Sequence, residues 1–256
     1  MHLLTRHRFK SIALALSASG LLCCLSAPVL AADIKAYTEE WPPYNYLRDK
    51  EITGISSDIL RAACAMANID CNLQLVPWTR AYKTVQDTRN TLIYTIARIP
   101  AREHQFIWIG PILPRTTWVY ARAQVADKIR TFKDLEHFKV GVIRAEASST
   151  ELADAGVSNA PIRIFNSNSD EMRMLKSGQI DVVVNTEIGM AMNQKQFDIP
   201  ATDIVKLMKL YDGGALYFGM NLESDPAIVE KLQNSVDKLR HEGKINAIVQ
   251  QYTKPL

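Results

Sequence analysis

The sequence is short of the groups that most enzymes and metal sites need. It holds four cysteines and five histidines in 256 residues, and Cys23, Cys24, His2 and His7 all fall within the first 24. Beyond residue 31 only Cys64, Cys71, His104, His137 and His241 remain. These three histidines are far apart, each among charged or amphipathic neighbours, as solvated histidines are. No Cys/His group has ligand spacing, so no metal site and no cofactor are expected. There is no Gly-x-Ser-x-Gly elbow, no P-loop and no Gly-x-Gly-x-x-Gly turn, and no catalytic residue is assigned. Eleven glycines and eleven prolines exclude collagen and low-complexity chains, and 47% hydrophobic residues are enough to bury a core.

Acidic residues are missing before Asp33, whereas Arg6, Arg8 and Lys10 precede an apolar, small-residue run from Ser11 to Leu25. Ser26 to Ala32 ends Pro-Val-Leu-Ala-Ala. This is the layout of a secretory signal over residues 1–31, with Val29 and Ala31 flanking the cut. A membrane anchor is the other reading, but Ser and Gly interrupt the run and its length is near the lower limit for a span of about 20 residues. Leu22 before Cys23, and Cys23 before Cys24, do not suit lipoprotein cleavage. Without the leader, 27 Lys and Arg face 27 Asp and Glu. A neutral body of about 225 residues argues against nucleic-acid binding and is large enough for two modest lobes. No later segment is long and apolar enough to span a bilayer, so an exported, periplasmic monomer is expected. In an oxidising compartment Cys64 and Cys71 form a disulfide if geometry permits; two buried free thiols are the alternative.

Short β runs alternate with amphipathic stretches. Strands are predicted at residues 34–37, 73–75 and 91–96, with helices capped by Ser56-Ser57-Asp58 and spanning 80–88 between them. A second series has strands at 140–143, 162–165 and 180–184. Its helices open at the Ser148-Ser149-Thr150-Glu151 capping box, at Ser169 and at Glu187. A last strand over 215–220 leads into helices 226–241 and 244–252. Two α/β lobes with a cleft between them follow, and ligands collect at the carboxyl ends of such strands. Trp41-Pro42-Pro43-Tyr44, Trp78-Thr79-Arg80 and Ala97 to Arg102 all stand directly after strands.

Trp41-Pro42-Pro43-Tyr44, Gly54 to Asp58, Pro100-Ala101-Arg102 before Phe106, Asp134-Leu135 leading into Val140-Gly141-Val142, and Gly178-Gln179-Ile180-Asp181 occur in one order along the chain. As an ordered set they resemble the polar amino-acid solute-binding proteins of bacterial ABC importers, the group with the histidine- and lysine/arginine/ornithine-binding proteins. The Cys64–Cys71 spacing also matches a disulfide in that pair. The resemblance implies a two-lobe, type II-like periplasmic binding fold with two crossover hinge strands, near 118–122 and 213–217. Lobe 1 would comprise 32–117 with 217–256, and lobe 2 118–216.

It further implies that Arg102 holds a ligand carboxylate through its two-pronged guanidinium. Trp41, Tyr44 and Trp78 would surround the ligand body, with core packing as the alternative for each. Thr95 and Ala97 fall where hydroxyl or backbone bonds are made. Arg98, four residues before Arg102, and Arg80 would add a cation if they faced the cleft; a solvated or ion-paired Arg is the other reading. The chain departs from the family in its second half. Ala145-Glu146-Ala147 replaces a Gly-Thr-Thr-like turn, leaving amides at Ser148, and the family's ammonium-holding Asp falls on Thr186, with Glu187 beside it. The implied function is capture of an amino acid or related carboxylate by hinge closure, for a membrane permease of an ABC importer. The alternatives are a dehydratase-like enzyme on the same scaffold, with Glu146 or Glu187 as general acid, and a subunit that presents ligand to a membrane sensor.

Overall fold

A computed structural model describes His2 and residues 34–253; the leader expected at 1–31 otherwise lies outside these residues. Ten strands and eight helices follow one another: β1 Ile34–Thr38, β2 Tyr46–Arg48, β3 Glu51–Thr53, α1 Ile55–Ala67, β4 Cys71–Leu75, α2 Trp78–Asp87, β5 Thr91–Ala97, β6 Ile107–Arg122, α3 Ala123–Ala126, β7 Val140–Ile143, α4 Ala147–Asp154, β8 Ile162–Phe165, α5 Asn168–Lys176, β9 Val182–Asn185, α6 Glu187–Gln196, β10 Ile204–Met220, α7 Pro226–His241 and α8 Lys244–Thr253. Eight strands form one sheet in the order β4-β1-β5-β10-β6-β9-β7-β8, and β2-β3 is a separate hairpin. β1 runs parallel to β4 and β5, and β7 parallel to β8 and β9. These are the two βαβ series read from the pattern. None of the described helices is long and apolar enough to cross a membrane.

The core is divided. Ile34, Ile59, Leu92, Ile109, Phe218 and Leu232 belong to one buried cluster, whereas Val119, Leu135, Val140, Leu152 and Val182 belong to another. β6 and β10 contribute to both. They pair antiparallel from Ile204↔Arg122 to Met220↔Ile107, with register breaks at four steps between Lys206 and Phe218. The expected crossovers at 118–122 and 213–217 therefore lie inside strands much longer than predicted.

Two predicted caps are placed differently. α1 starts after Gly54, and Ser56 and Ser57 are buried inside the helix. Gly54 has φ of 121°, and a Cβ there would come within 2.4 Å of the Tyr44 carbonyl oxygen, so glycine alone fits this turn. α4 begins at Ala147, with Glu146 in the cap position and no side-chain cap. Glu151 does not close a box with Ser148, because its carboxylate is taken by Arg115 and Thr117.

Cys64 at the end of α1 is disulfide-bonded to Cys71 at the start of β4, with Cα atoms 6.2 Å apart. The bond ties a helix to the edge strand that follows it. On the chain-entropy relation an eight-residue ring contributes roughly 2.5 kcal/mol. Thiol titration of the unfolded, unreduced mature protein is expected to find no free thiol; two titratable thiols would contradict the bond.

Candidate functional site

Segments leaving the carboxyl ends of β1, β5 and β7 meet at one closed cleft. The β1 segment supplies Glu39 and Trp41, the start of α2 supplies Trp78, and the end of β5 supplies Thr95 and Ala97. Arg102 follows on a single tight turn, Pro100–Arg102. The turn after β7 supplies Glu146 and Ala147, and β6 supplies Arg115. The space they enclose has a volume of about 30 Å³, enough for about two water molecules. A larger pocket of about 290 Å³ shares Glu39 with this cavity and is also lined by Leu75, Val76, Pro77, Asn166, Ser167 and Ser169.

Arg102 is the organising cation. It is buried (5% exposed), with its guanidinium carbon 5.8 Å from the Trp78 ring centre and 5.6 Å from that of Tyr82. Nη1 donates to the Ala97 carbonyl (3.1 Å) and Nη2 to the Ala145 carbonyl (2.8 Å). Both partners are neutral, so among the described residues no carboxylate cancels its charge in direct contact, and burial draws its pKa down. Trp78 Nε1 donates to the same Ala145 oxygen at 3.1 Å. Ala145 has φ of 62°, a left-handed conformation uncommon for a residue with a Cβ, and this turns its carbonyl towards Arg102 and Trp78.

Thr95 is strained for a similar purpose. Tyr217 pairs with Ile96 and Phe218 with Tyr94, so Thr95 is the unpaired residue of a bulge, and its φ is 65°. For a β-branched residue this conformation costs about 1–3 kcal/mol. It places the side chain at the cavity, where Oγ1 donates to Asn45 Oδ1.

The second cation, Arg115, is buried and already satisfied. Nη1 and Nη2 donate to the two carboxylate oxygens of Glu151, which also accepts from Thr117 Oγ1 at 3.1 Å. The acids are not satisfied in this way. Glu39 is 6% exposed, and its Oε2 has no hydrogen-bond donor among the described residues. Burial, then the charge of Glu146, holds its carboxyl well above the ordinary 4.5; Arg102 offsets this only in part. Glu171 on α5 is equally buried, and burial followed by the Glu146 charge raises it as well. Among the described residues no group of three or more His, Cys, Asp or Glu is arranged to hold a metal ion.

Of the residues singled out from the sequence, Trp41, Trp78, Thr95, Ala97 and Arg102 line this cavity. Tyr44 stands behind it: its hydroxyl donates to Thr186 Oγ1 at 3.0 Å, and burial pushes its pKa up to about 12. Thr186 caps α6 by accepting from Gly189 N, so its oxygen is engaged twice. Trp41 Nε1 donates to Asn185 Oδ1 at 3.4 Å. Ser148 is buried in the first turn of α4. Glu187 is exposed and paired with Lys206, Arg98 is exposed and paired with Glu103, and Arg80 is exposed on α2. Sequence reasoning missed Glu39, Arg115 and Glu171. Glu39 directly follows β1 and could have been found by the strand-end rule; the other two reach the site only through tertiary packing.

Residues 34–255 match the family model described as bacterial extracellular solute-binding proteins, family 3. The chain belongs to that family. Solved structures carry the same fold across nearly all the matched length. An ancestral arginine-binding protein bound to arginine aligns with a TM-score of 0.77 at 16% identity, covering 86% of this chain and 97% of that one. A Salmonella typhimurium periplasmic binding protein of high arginine specificity aligns at 0.75 and 16%, over 86% and 98%. A histidine kinase sensor domain with similarity to periplasmic binding proteins aligns at 0.75 and 17%, over 86% and 95%. No curated protein matches the sequence. This family-3 solute-binding protein thus has the two-lobed α/β type II fold, with β6 and β10 as the strands that pass between the lobes.

Proposed function

We propose that the protein is a periplasmic solute-binding subunit that captures a small polar ligand, an amino acid or related carboxylate, by hinge closure and delivers it to the permease of an ABC importer. In this reading lobe 1 is 32–117 with 217–256 and lobe 2 is 118–216, and the register breaks of β10 between Lys206 and Phe218 mark where the pair of strands flexes. The observation that carries the proposal is Arg102: a buried guanidinium at the cleft whose direct acceptors among the described residues are two backbone carbonyls. A ligand carboxylate is the acceptor that would satisfy its charge, in two parallel bonds. One of the present acceptors, Ala145, belongs to the opposite lobe, so the same guanidinium favours the closed state, as a captured ligand must.

Glu146 stands beside a buried acid, and Glu187 is bound to Lys206. The mature protein incubated with a ligand it binds is expected to return that ligand unchanged by mass spectrometry. Turnover that is lost on replacing Glu146 would favour the enzyme reading. The structural likeness to a kinase sensor domain supports, as a second reading, presentation of the ligand to a membrane sensor.

A further inference from the structure

We propose that Arg98 is the positioning residue for Arg102: paired with Glu103 and seated over Trp108 and Tyr217, it clamps the loop that carries the anchor to β6 and β10. The inference deepens the solute-binding reading above and rests on Arg102 being the carboxylate anchor. Neither Arg98 nor Glu103 lines the cavity, so the clamp acts on a ligand through Arg102.

The two residues bracket the anchor in the chain. Arg98 directly follows Ala97, the last residue of β5, and Glu103 directly follows Arg102. Between them the chain makes the turn Pro100–Arg102, with Arg102 N donating to the Ile99 carbonyl (2.9 Å) and Glu103 N to the Pro100 carbonyl (3.2 Å). Arg98 Nε donates to Glu103 Oε2 at 2.9 Å, and Nη2 donates to Oε1. These parallel bonds close a ring across the base of the turn. The carbonyl that accepts from Arg102 Nη1 is that of Ala97, one residue before the clamp. Opening the clamp therefore loosens both the backbone of Arg102 and one of its two acceptors.

An isolated ion pair at the surface contributes little. This one is held from several sides. The Arg98 guanidinium carbon lies 5.6 Å from the Trp108 ring centre and 5.5 Å from that of Tyr217, where a ring face attracts a cation. Trp108 Nε1 donates to the Glu103 carbonyl at 2.9 Å, so the same indole holds both partners. Tyr217 packs on Gly110, where a Cβ would come within 2.9 Å of its Cδ1. The rings continue from Trp108 through Phe106 and Tyr82 to Trp78, with centres 5.6, 5.0 and 6.1 Å apart. Arg102 lies over the last two, so the two arginines occupy opposite ends of one aromatic ladder. The hydrogen bond from Arg98 is the main reason that the Glu103 carboxyl is held below the ordinary 4.5. Glu103 thus cancels the Arg98 charge, and what Arg98 supplies is geometry. Two parallel bonds to a carboxylate need the Arg102 plane set to within about 0.5 Å and 10–20°.

The test reads Arg102 first without a ligand and then with one. In proton–nitrogen correlation spectra of the arginine side chains of the mature protein, the bonded Nη protons of Arg102 are expected as restrained signals, assigned by their loss in Arg102→Lys. In Arg98→Gln they should collapse into the solvent-averaged band. Both side chains of the clamp are 38% exposed, so neither substitution opens the core. Calorimetric titration with L-arginine and with glutarate should show a roughly 3- to 10-fold loss of affinity in Arg98→Gln. Glu103→Gln should lose as much, and the double variant no more than either. Arg98→Lys should restore part, since it keeps a cation over the rings without the fork. Beside Arg102→Lys, Arg98→Gln should lose most of its effect, because no planar fork remains to be aligned. Unchanged Arg102 signals in both Arg98→Gln and Glu103→Gln, additive losses of affinity, or an undiminished effect beside Arg102→Lys would overturn the inference. Collapsed signals with unchanged affinity would overturn the positioning role and leave the anchor reading intact. Probes that bind wild type and Arg102→Ala alike would overturn both. If neither probe binds the wild type, the carboxylate reading fails, and the spectra still decide whether Arg98 sets Arg102 in place.

Discussion

Arg102→Ala is expected to weaken ligand binding by roughly 30-fold to several-thousand-fold, because truncating one partner of a desolvated charge pair costs about 2–5 kcal/mol. The side chain is more deeply set than its place after a strand suggests. It lies against the Trp78 and Tyr82 rings and donates to a carbonyl on each side of the cleft. Its removal leaves the Ala97 oxygen without this donor, whereas the Ala145 oxygen keeps Trp78 Nε1. Some loss of stability will therefore accompany the loss of affinity, and the variant has to be titrated at a temperature where it is folded. Arg102→Lys should recover only part of the binding, since an ammonium cannot offer two parallel bonds from one plane. Near-normal affinity in folded Arg102→Ala would mean that the carboxylate is held elsewhere.

The largest effect on stability is expected at Glu151. Its side chain and that of Arg115 are 4% and 6% exposed and joined by two hydrogen bonds, with Thr117 donating a third to the carboxylate. Glu151→Ala leaves the Arg115 charge buried without its counter-ion, which typically costs about 3–5 kcal/mol. For a protein of this length that is a fall in melting temperature of roughly 6–20 °C. The double variant Arg115→Met with Glu151→Leu should regain most of it, because an apolar pair of similar volume avoids the desolvation cost altogether. A double-mutant cycle by thermal denaturation measures the coupling directly. Additive single effects would show that the pair is not the unit of stabilisation.

The parts of the fold that could be read from the sequence are those whose partners are local. β5 and β7 are apolar runs buried along their whole length, and the α7 residues Leu232, Val236 and Leu239 recur at helical spacing on a buried face. β6 was hidden because Gly110-Pro111 and Pro114 read as breaks. They are tolerated because this half of β6 pairs with β10 alone, β9 joining only from Trp118 onward, so a missing N–H need not interrupt a ladder on both sides. Gly213-Gly214 concealed β10 in the same way. The capping box at Ser148 failed for another reason: Glu151 had a partner 36 residues earlier, and a buried arginine outcompetes a helix end.

The site divides along the same line. Looking just beyond strand ends brought out Trp41, Trp78, Ala97 and Arg102, and the family resemblance added Thr95; all five share one cavity. Arg98 follows the ion-paired reading: it pairs with Glu103 and lies over Trp108 and Tyr217. The pattern could not show that Glu39 and Glu146, 107 residues apart in the chain, line the same cavity.

Capture of a small charged solute is the central claim, and a thermal-shift panel of amino acids, amines and dicarboxylates on the mature protein tests it most directly. A ligand present at about 100 times its dissociation constant adds about 2.7 kcal/mol by mass action, or roughly 5–11 °C in melting temperature for a chain of this size. The account predicts a shift of that order for at least one charged compound, absent in Arg102→Ala. A panel in which no compound moves the transition, or in which wild type and Arg102→Ala shift alike, would contradict it.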